Sequence, residues 1–245
     1  MINLLSKPLK MPCYGFNLPA MMFCPAGKKS LTEENAICND CYALKGTYNF
    51  SNVKKALNAK AKFLINSLRN DNGKTFIEEM VKQITEAYGS GRKKISGGKF
   101  DKRFFRVHDS GDLFSPQYIN CWIEICKRLP KIRFWFPTRE YIRNSQLPHL
   151  RALHKLENVV VRPSALSVNA PVPQIEGLGK GTGVHTEQHS NSYYCPATVN
   201  RAKYSLTEWK KMDKAEQKKN STCEGVGCKL CFIKNQKLDI VYLSH

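Results

Sequence analysis

Chemistry in this chain is legible first in its cysteines. Residues 23–46 read FCPAGKKSLTEENAICNDCYALKG, in which thirteen residues separate Cys24 from Cys38 and two separate Cys38 from Cys41. A second group lies toward the other end, where Cys195, Cys223, Cys228 and Cys231 follow the spacing C-x27-C-x4-C-x2-C. Thiols so grouped ligate metals in a reducing compartment and pair as disulfides in an oxidising one. Three thiolates suit an iron–sulfur cubane, which then keeps one iron without a protein ligand and open to a small molecule. A closed zinc site wants four ligands, and Cys13 would supply the fourth. Spacing alone leaves both readings open for the first group. For the second, the expectations are a second iron–sulfur cluster or a structural zinc, against four reduced, unligated thiols. Cys121 and Cys126 share a helical stretch with Trp122, Ile123 and Ile125, and are expected to pack rather than ligate.

Compartment decides between metal and disulfide. No stretch approaches the eighteen or more apolar residues of a membrane span. The opening MINLLSKPLKMPCYG has neither the apolar core nor the cleavage pattern of a signal peptide. The expectation is a cytoplasmic protein with reduced thiols and no membrane partner. Thirty-nine Lys and Arg against twenty Asp and Glu leave a net charge of +19, a field that attracts nucleic acid. The lysines are spread along the chain, so a merely solvated basic surface remains the alternative.

The elements that must position these groups follow from periodicity. Apolar residues at helical spacing predict helices over residues 51–68, with Ser51 or Asn52 as cap, and over 74–88. GSGRKKISGGK then reads as a turn. Three strand–helix alternations come next: a strand in 103–112, a helix opened by Ser115 and Pro116, a strand over 132–139, a helix over 147–156, and a strand over 158–165. That rhythm predicts an α/β fold of parallel strands with outer helices. The 245 residues are read as a single domain, 1–245, with a βα core over 24–165. Residues 166–245 would form a flap loop, up to about 194, and a cysteine-rich segment with a basic helix over 205–220 and a terminal strand.

Each core strand ends in polar groups, and ligands of parallel α/β sheets bind at the carboxyl ends of strands. Asp109, Asp112, Arg139 and Arg162 are the candidate catalytic groups there, and His108, Ser110, Thr138 and Ser164 the candidates for holding a cofactor. Ordinary caps and turns account for part of the set. His149 and His154 sit within a helical stretch and read as structural.

The motifs CPAG…CNDCYALKG, HDSGDLFSPQYINCWIEI, FWFPTR, YYCPA…C…CKLCF and VYLSH together resemble the phage gene product 88-like family over roughly residues 14–245. More distantly they are similar to radical SAM barrels. The resemblance implies a [4Fe–4S] cluster on a partial (β/α), TIM-barrel-like barrel, in the host cytoplasm for a phage-encoded protein. It also implies an electron donor, and S-adenosylmethionine (SAM) as the molecule that the open iron would take. The chain departs from the radical SAM pattern in three ways. The first cysteine gap is thirteen residues rather than three, Asp40 rather than an aromatic precedes Cys41, and no Gly-Gly-Glu element is evident. The implied function is a radical or redox enzyme acting on nucleic acid or a nucleotide. The rival readings are a metal-stabilised nucleic-acid-binding protein and a cluster protein that carries electrons or senses oxygen without SAM.

Overall fold

Aromatic and β-branched residues on alternate positions build the central sheet. Its strands β1 (Tyr14–Phe16), β2 (Phe104–Val107), β3 (Arg133–Thr138) and β4 (Val159–Pro163) are all parallel and lie in chain order. Side chains alternate between faces of a strand, so one face carries Tyr14, Phe16, Phe105, Val107, Phe134, Phe136, Val159 and Val161, all in one core cluster. The other carries Phe104, Trp135 and Val160, which belong to a second cluster. Strands buried on both faces need no polar alternation, which is why FWF and VVV read as unbroken apolar runs. The structure, a computed structural model, describes residues 2–8, 10–11, 13–89, 104–189 and 192–244.

The helices between these strands cover the first face. They are α2 (Ser51–Asp71) and α3 (Lys74–Gly89) after β1, α4 (Pro116–Arg128) after β2, and α5 (Leu147–Lys155) after β3, each packed on the next. Trp122 of α4 sits at the centre, fully buried among the rings of Phe16, Phe76, Phe105, Phe134 and Phe136. Ser115 caps α4 by accepting the Tyr118 N–H at 3.2 Å, with Pro116 at the first position, as expected. The predicted cap of α2 differs: Phe50 holds the N-cap position and no side chain caps it. Between α2 and α3, Gly73 turns with φ +90°, and a Cβ there would lie 2.2 Å from the Cys121 sulfur. Cys121 and Cys126 are buried in this core. His149 meets Asn120 at 2.9 Å and His154 accepts the Val161 N–H at 3.1 Å. The turn read over residues 89–99 falls almost wholly outside the described residues.

Residues 166–194 are not all loop. They hold β5 (Thr182–His185) and β6 (Tyr193–Tyr194), which flank the terminal strand β7 (Ile240–Leu243) in a parallel sheet of order β5-β7-β6. A bridge from Ser164 to Thr182 joins the end of β4 to the start of β5. The strands therefore continue as one parallel array in two sheets, and no closed barrel forms among the described residues. The basic stretch 205–220 is likewise two helices, α7 (Leu206–Lys211) and α8 (Lys214–Ser221), following α6 (Pro196–Ala202). The break falls at Met212 and Asp213, because the Asp213 carboxylate accepts the Glu216 N–H at 2.8 Å and starts a new helix.

In this open array the second face is covered by the chain's own C-terminal segment. Phe232 packs on Phe104 and Trp135, with Cys13, Cys231 and Ile240 around it. Arg162, on the same face of β4 as Val160, fastens the segment. Its fully buried guanidinium donates to the carbonyls of Lys180 (2.8 Å), Ile233 (2.8 Å), Cys231 (3.1 Å) and Leu230 (3.1 Å). Removing it strands buried acceptors, each worth about 1–3 kcal/mol. Arg162→Met should therefore cost about 3 kcal/mol or more in a denaturant titration, and Arg162→Lys should recover little, since an ammonium cannot span the fork.

Candidate metal centres and the strand-end cleft

The chain leaves β1 at Phe16, so everything after it starts at the carboxyl end of the parallel sheet. Cys24 takes the N-cap position of a short helix, α1 (Pro25–Lys29), and Cys38 lies in a single helical turn, Ile37–Asp40, that delivers Cys41. Gly27 forms the floor between two of the thiols. A Cβ there would stand 3.2 Å from both the Cys24 Cβ and the Cys38 sulfur. The loop is anchored from below: the buried Glu140 accepts the Ala26 N–H at 2.9 Å, and the Asp112 N–H donates to the Phe23 carbonyl at 2.8 Å. Burial pushes the Cys24 thiol up to about 12, with Asp112, Cys41 and Cys38 adding to the rise. Cys41 is raised by burial and by Cys38, while the Ala43 amide, Arg139 and the Leu44 amide pull it down. The three thiols thus feel one another.

Cys13 is not their fourth partner. It precedes β1 while Cys24 follows it, which puts the two at opposite ends of that strand, and Cys13 packs with Cys231 and Phe232 instead. Among the described residues, no three Cys, His, Asp or Glu side chains close to the spacing that one ion requires. Four thiolates on one zinc stand about 3.8 Å apart, whereas a cubane's thiolates each bind a different iron and lie wider.

The strand ends open on a cleft of about 1080 Å³. His108, Asp109, Asp112, Thr138, Arg139 and Ser164 line it; Ser110 and Arg162 do not. The Ser110 hydroxyl is turned to the Leu18 carbonyl at 2.8 Å, and the Arg162 donors go to the four carbonyls already described. Asp112 accepts from Thr138 Oγ1 (2.6 Å), the Leu113 N–H (2.7 Å) and the Arg139 N–H (3.0 Å), although burial raises its pKa. Arg139 Nε donates to the Ala165 carbonyl at 2.9 Å, and Thr182 meets Ser164 Oγ at 3.1 Å. His108 Nε2 lies 3.1 Å from the Tyr118 hydroxyl, and burial holds its pKa down at about 3, so the ring is neutral.

Asp109 is the hub. It accepts from the Tyr48 hydroxyl at 2.8 Å and from Tyr42, pairs with Arg106 at 2.9 Å, and its N–H donates to Asn17 at 2.7 Å. Arg106 in turn lies over the Trp135 ring, 4.7 Å from its centroid. Motif and spacing do not single out Arg106, Tyr48, Glu140 or Lys60. Parity along β2 puts Arg106 on the inner face beside Phe104, which is the one signal the sequence holds for it. The other three depend on contacts across the fold.

The second cysteine group converges too. Cys195, Cys223, Cys228 and Cys231 line one small cavity with Tyr193, Phe232 and Ile240. Cys195 and Cys223 also face the large cleft. The second group thus borders the cleft through two of its thiols, while the first group reaches it only through neighbours, Ile37, Tyr42 and Arg139.

Such an arrangement defines a cysteine-rich parallel α/β protein with two thiol centres. The chain belongs to the Gene product 88 family, whose model matches residues 3–232. No curated protein and no solved structure matches it. Among the described residues no helix is long and apolar enough to cross a membrane.

Lys60 of α2 lines the same cleft, with its ammonium on the Ser6 hydroxyl (2.7 Å) and the Leu5 carbonyl (3.3 Å). Burial lowers its pKa from 10.5 to about 8. Between those values the unfolded chain binds more protons than the folded one, so this group makes stability rise with pH over that window. Lys60→Met should flatten the rise between pH 8 and 10.5 relative to the parent, measured by urea titration at each pH.

Proposed function

We propose that this is an iron–sulfur protein in which Cys24, Cys38 and Cys41 hold a [4Fe–4S] cubane whose unligated iron faces the cleft, where it serves a redox reaction on a nucleotide or nucleic-acid substrate. The observation that carries this reading is that Cys24 and Cys38 meet across Gly27 at the end of β1, and the turn holding Cys38 delivers Cys41 directly after it. Three thiolates are the complement of a cubane with an open corner and one short of a closed zinc site. When bound, the cluster supplies a one-electron couple and a free iron position.

The chain's own groups would do the rest. The Ala43 and Leu44 amides and Arg139 favour the Cys41 thiolate and so offset the negative charge of the centre. Asp112, held by three donors, fixes the approach of Arg139 to the cleft. Lys7, Lys10, Lys45 and Arg201 line the wall where phosphates would bind, and the Tyr42 and Tyr48 rings, 6.0 Å apart, offer faces for a base. SAM is one candidate for the open iron, on the family resemblance described above.

Anaerobically purified protein should be brown and contain iron and sulfide, and Cys24→Ala, Cys38→Ala or Cys41→Ala should each remove about four irons per chain. SAM should perturb the reduced EPR signal that those variants lose, and Asp112→Asn should weaken the perturbation without loss of iron. An unperturbed signal with no 5′-deoxyadenosine formed would reject SAM while leaving the cluster. Colourless protein with stoichiometric zinc and no sulfide would reject the cluster.

Nucleic-acid binding should weaken as salt rises. Replacing Lys7, Lys10, Lys45 and Arg201 by Gln should lower the log–log salt slope by on the order of 0.7–0.9 for each phosphate that is no longer neutralised. A slope equal to the parent's would remove the cleft as the binding surface.

A further inference from the structure

The second thiol group is built as a site of a different kind from the first. Its four sulfurs come from three stretches that the fold brings together: Cys195 just after β6, Cys223 just after α8, and Cys228 and Cys231 before and within the turn Leu230–Phe232. Each backbone is held. The Cys195 N–H donates to the Val241 carbonyl (2.8 Å), that of Cys223 to Lys10 (3.0 Å) and that of Cys228 to Cys223 (3.1 Å). The Cys231 carbonyl accepts from Arg162 at 3.1 Å. The rest of the wall is mainly apolar, with Leu230, Phe232 and Ile240 around the thiols.

Two tyrosines address the sulfurs directly. The Tyr242 hydroxyl lies 3.3 Å from the Cys231 sulfur, and the Tyr193 hydroxyl 3.5 Å from that of Cys228. Against a thiolate the hydroxyl is the donor, and donors on cluster sulfurs raise the reduction potential. A buried cation stands by, since the Arg162 guanidinium holds the Cys231 backbone. Four thiols share one cavity without closing to single-ion spacing. Four thiolates gathered in one mainly apolar pocket are the ligand set of a closed iron–sulfur cluster.

We infer that Cys195, Cys223, Cys228 and Cys231 bind a second iron–sulfur cluster, closed by four thiolates, that forms the far wall of the cleft and exchanges single electrons without binding a ligand at iron. This site stands on its own cavity and does not depend on the occupant of the first. The proximity of Cys195 and Cys223 to the cleft gives the electron a short way in, and Tyr242 tunes the couple through Cys231.

The test uses the full chain, purified without oxygen, with Cys24, Cys38 and Cys41 all changed to Ala. About four irons and four sulfides per chain should remain. Dithionite, as a one-electron donor, should reduce them to an EPR-active state that SAM leaves unchanged. Adding Cys228→Ala should abolish that signal. Tyr242→Phe should move the potential negative with iron content intact, a change that mere packing damage would not produce. Stoichiometric zinc without sulfide in the triple variant overturns the inference, and so does a folded triple variant without metal. If the triple variant does not fold, Cys228→Ala in the parent serves instead. It should halve the iron and spare the SAM-sensitive signal, and an unchanged iron content overturns the inference. Failure of the first site would show separately, as iron that Cys24→Ala does not alter.

Discussion

A buried arginine that answers four carbonyls is the contact on which the rest of this molecule leans. A parallel sheet has two apolar faces to bury, and a closed barrel buries the second by curling the sheet on itself. Here the described array stays open, so a separate piece of chain must cover that face. Arg162 makes this work, because its planar fork reaches Lys180, Leu230, Cys231 and Ile233 from one point on β4. Its charge is not matched by a carboxylate among these contacts. The site compensates with carbonyl dipoles, which cost less to desolvate than an ion pair. Phe232 is then seated on Phe104 and Trp135, and Cys228 and Cys231 are brought to their cavity.

The second dependence is electrostatic. Asp109 gathers Arg106, Tyr42 and Tyr48 at the end of β2, with Asn17 on its amide. Tyr42 follows Cys41 directly, so the hub fixes the loop that carries the first thiol group. Arg106 points the other way, over Trp135 and toward the face that the second group covers. One ion pair thus ties the two halves of the cysteine chemistry to a single strand. Because the pair is mostly buried, either partner alone would be costly, and neither is replaceable by a neutral group of similar shape.

How far the sequence discloses this can be argued element by element. The core strands and helices are legible because their periods differ and because Ser115–Pro116 marks a helix start without ambiguity. The polar strand ends are legible as well, and six of eight do line the cleft. Arg162 shows the limit. Its place at a strand end suggests a pocket, but its parity with Val160 puts it on the inner face, and only the fold supplies the carbonyls it meets. Strand β5 is hard to see because TGVH is short, contains a glycine and directly follows another. The split between α7 and α8 is present in the letters, since Ser205-x-x-Glu208 and Asp213-x-x-Glu216 are two helix starts in close succession.

Cys13 carries the sharper lesson. Ten residues separate it from Cys24, fewer than the thirteen between Cys24 and Cys38, and on spacing it completes a set of four. A strand lies between them. Three residues of extended chain carry the backbone from the amino end of the sheet to its carboxyl end, so Cys13 and Cys24 fall at opposite ends of β1. The first group is thereby left with three thiols at the carboxyl end, and the second has four on the covered face. Two thiol groups of unequal number, three and four, are a consequence of where β1 falls.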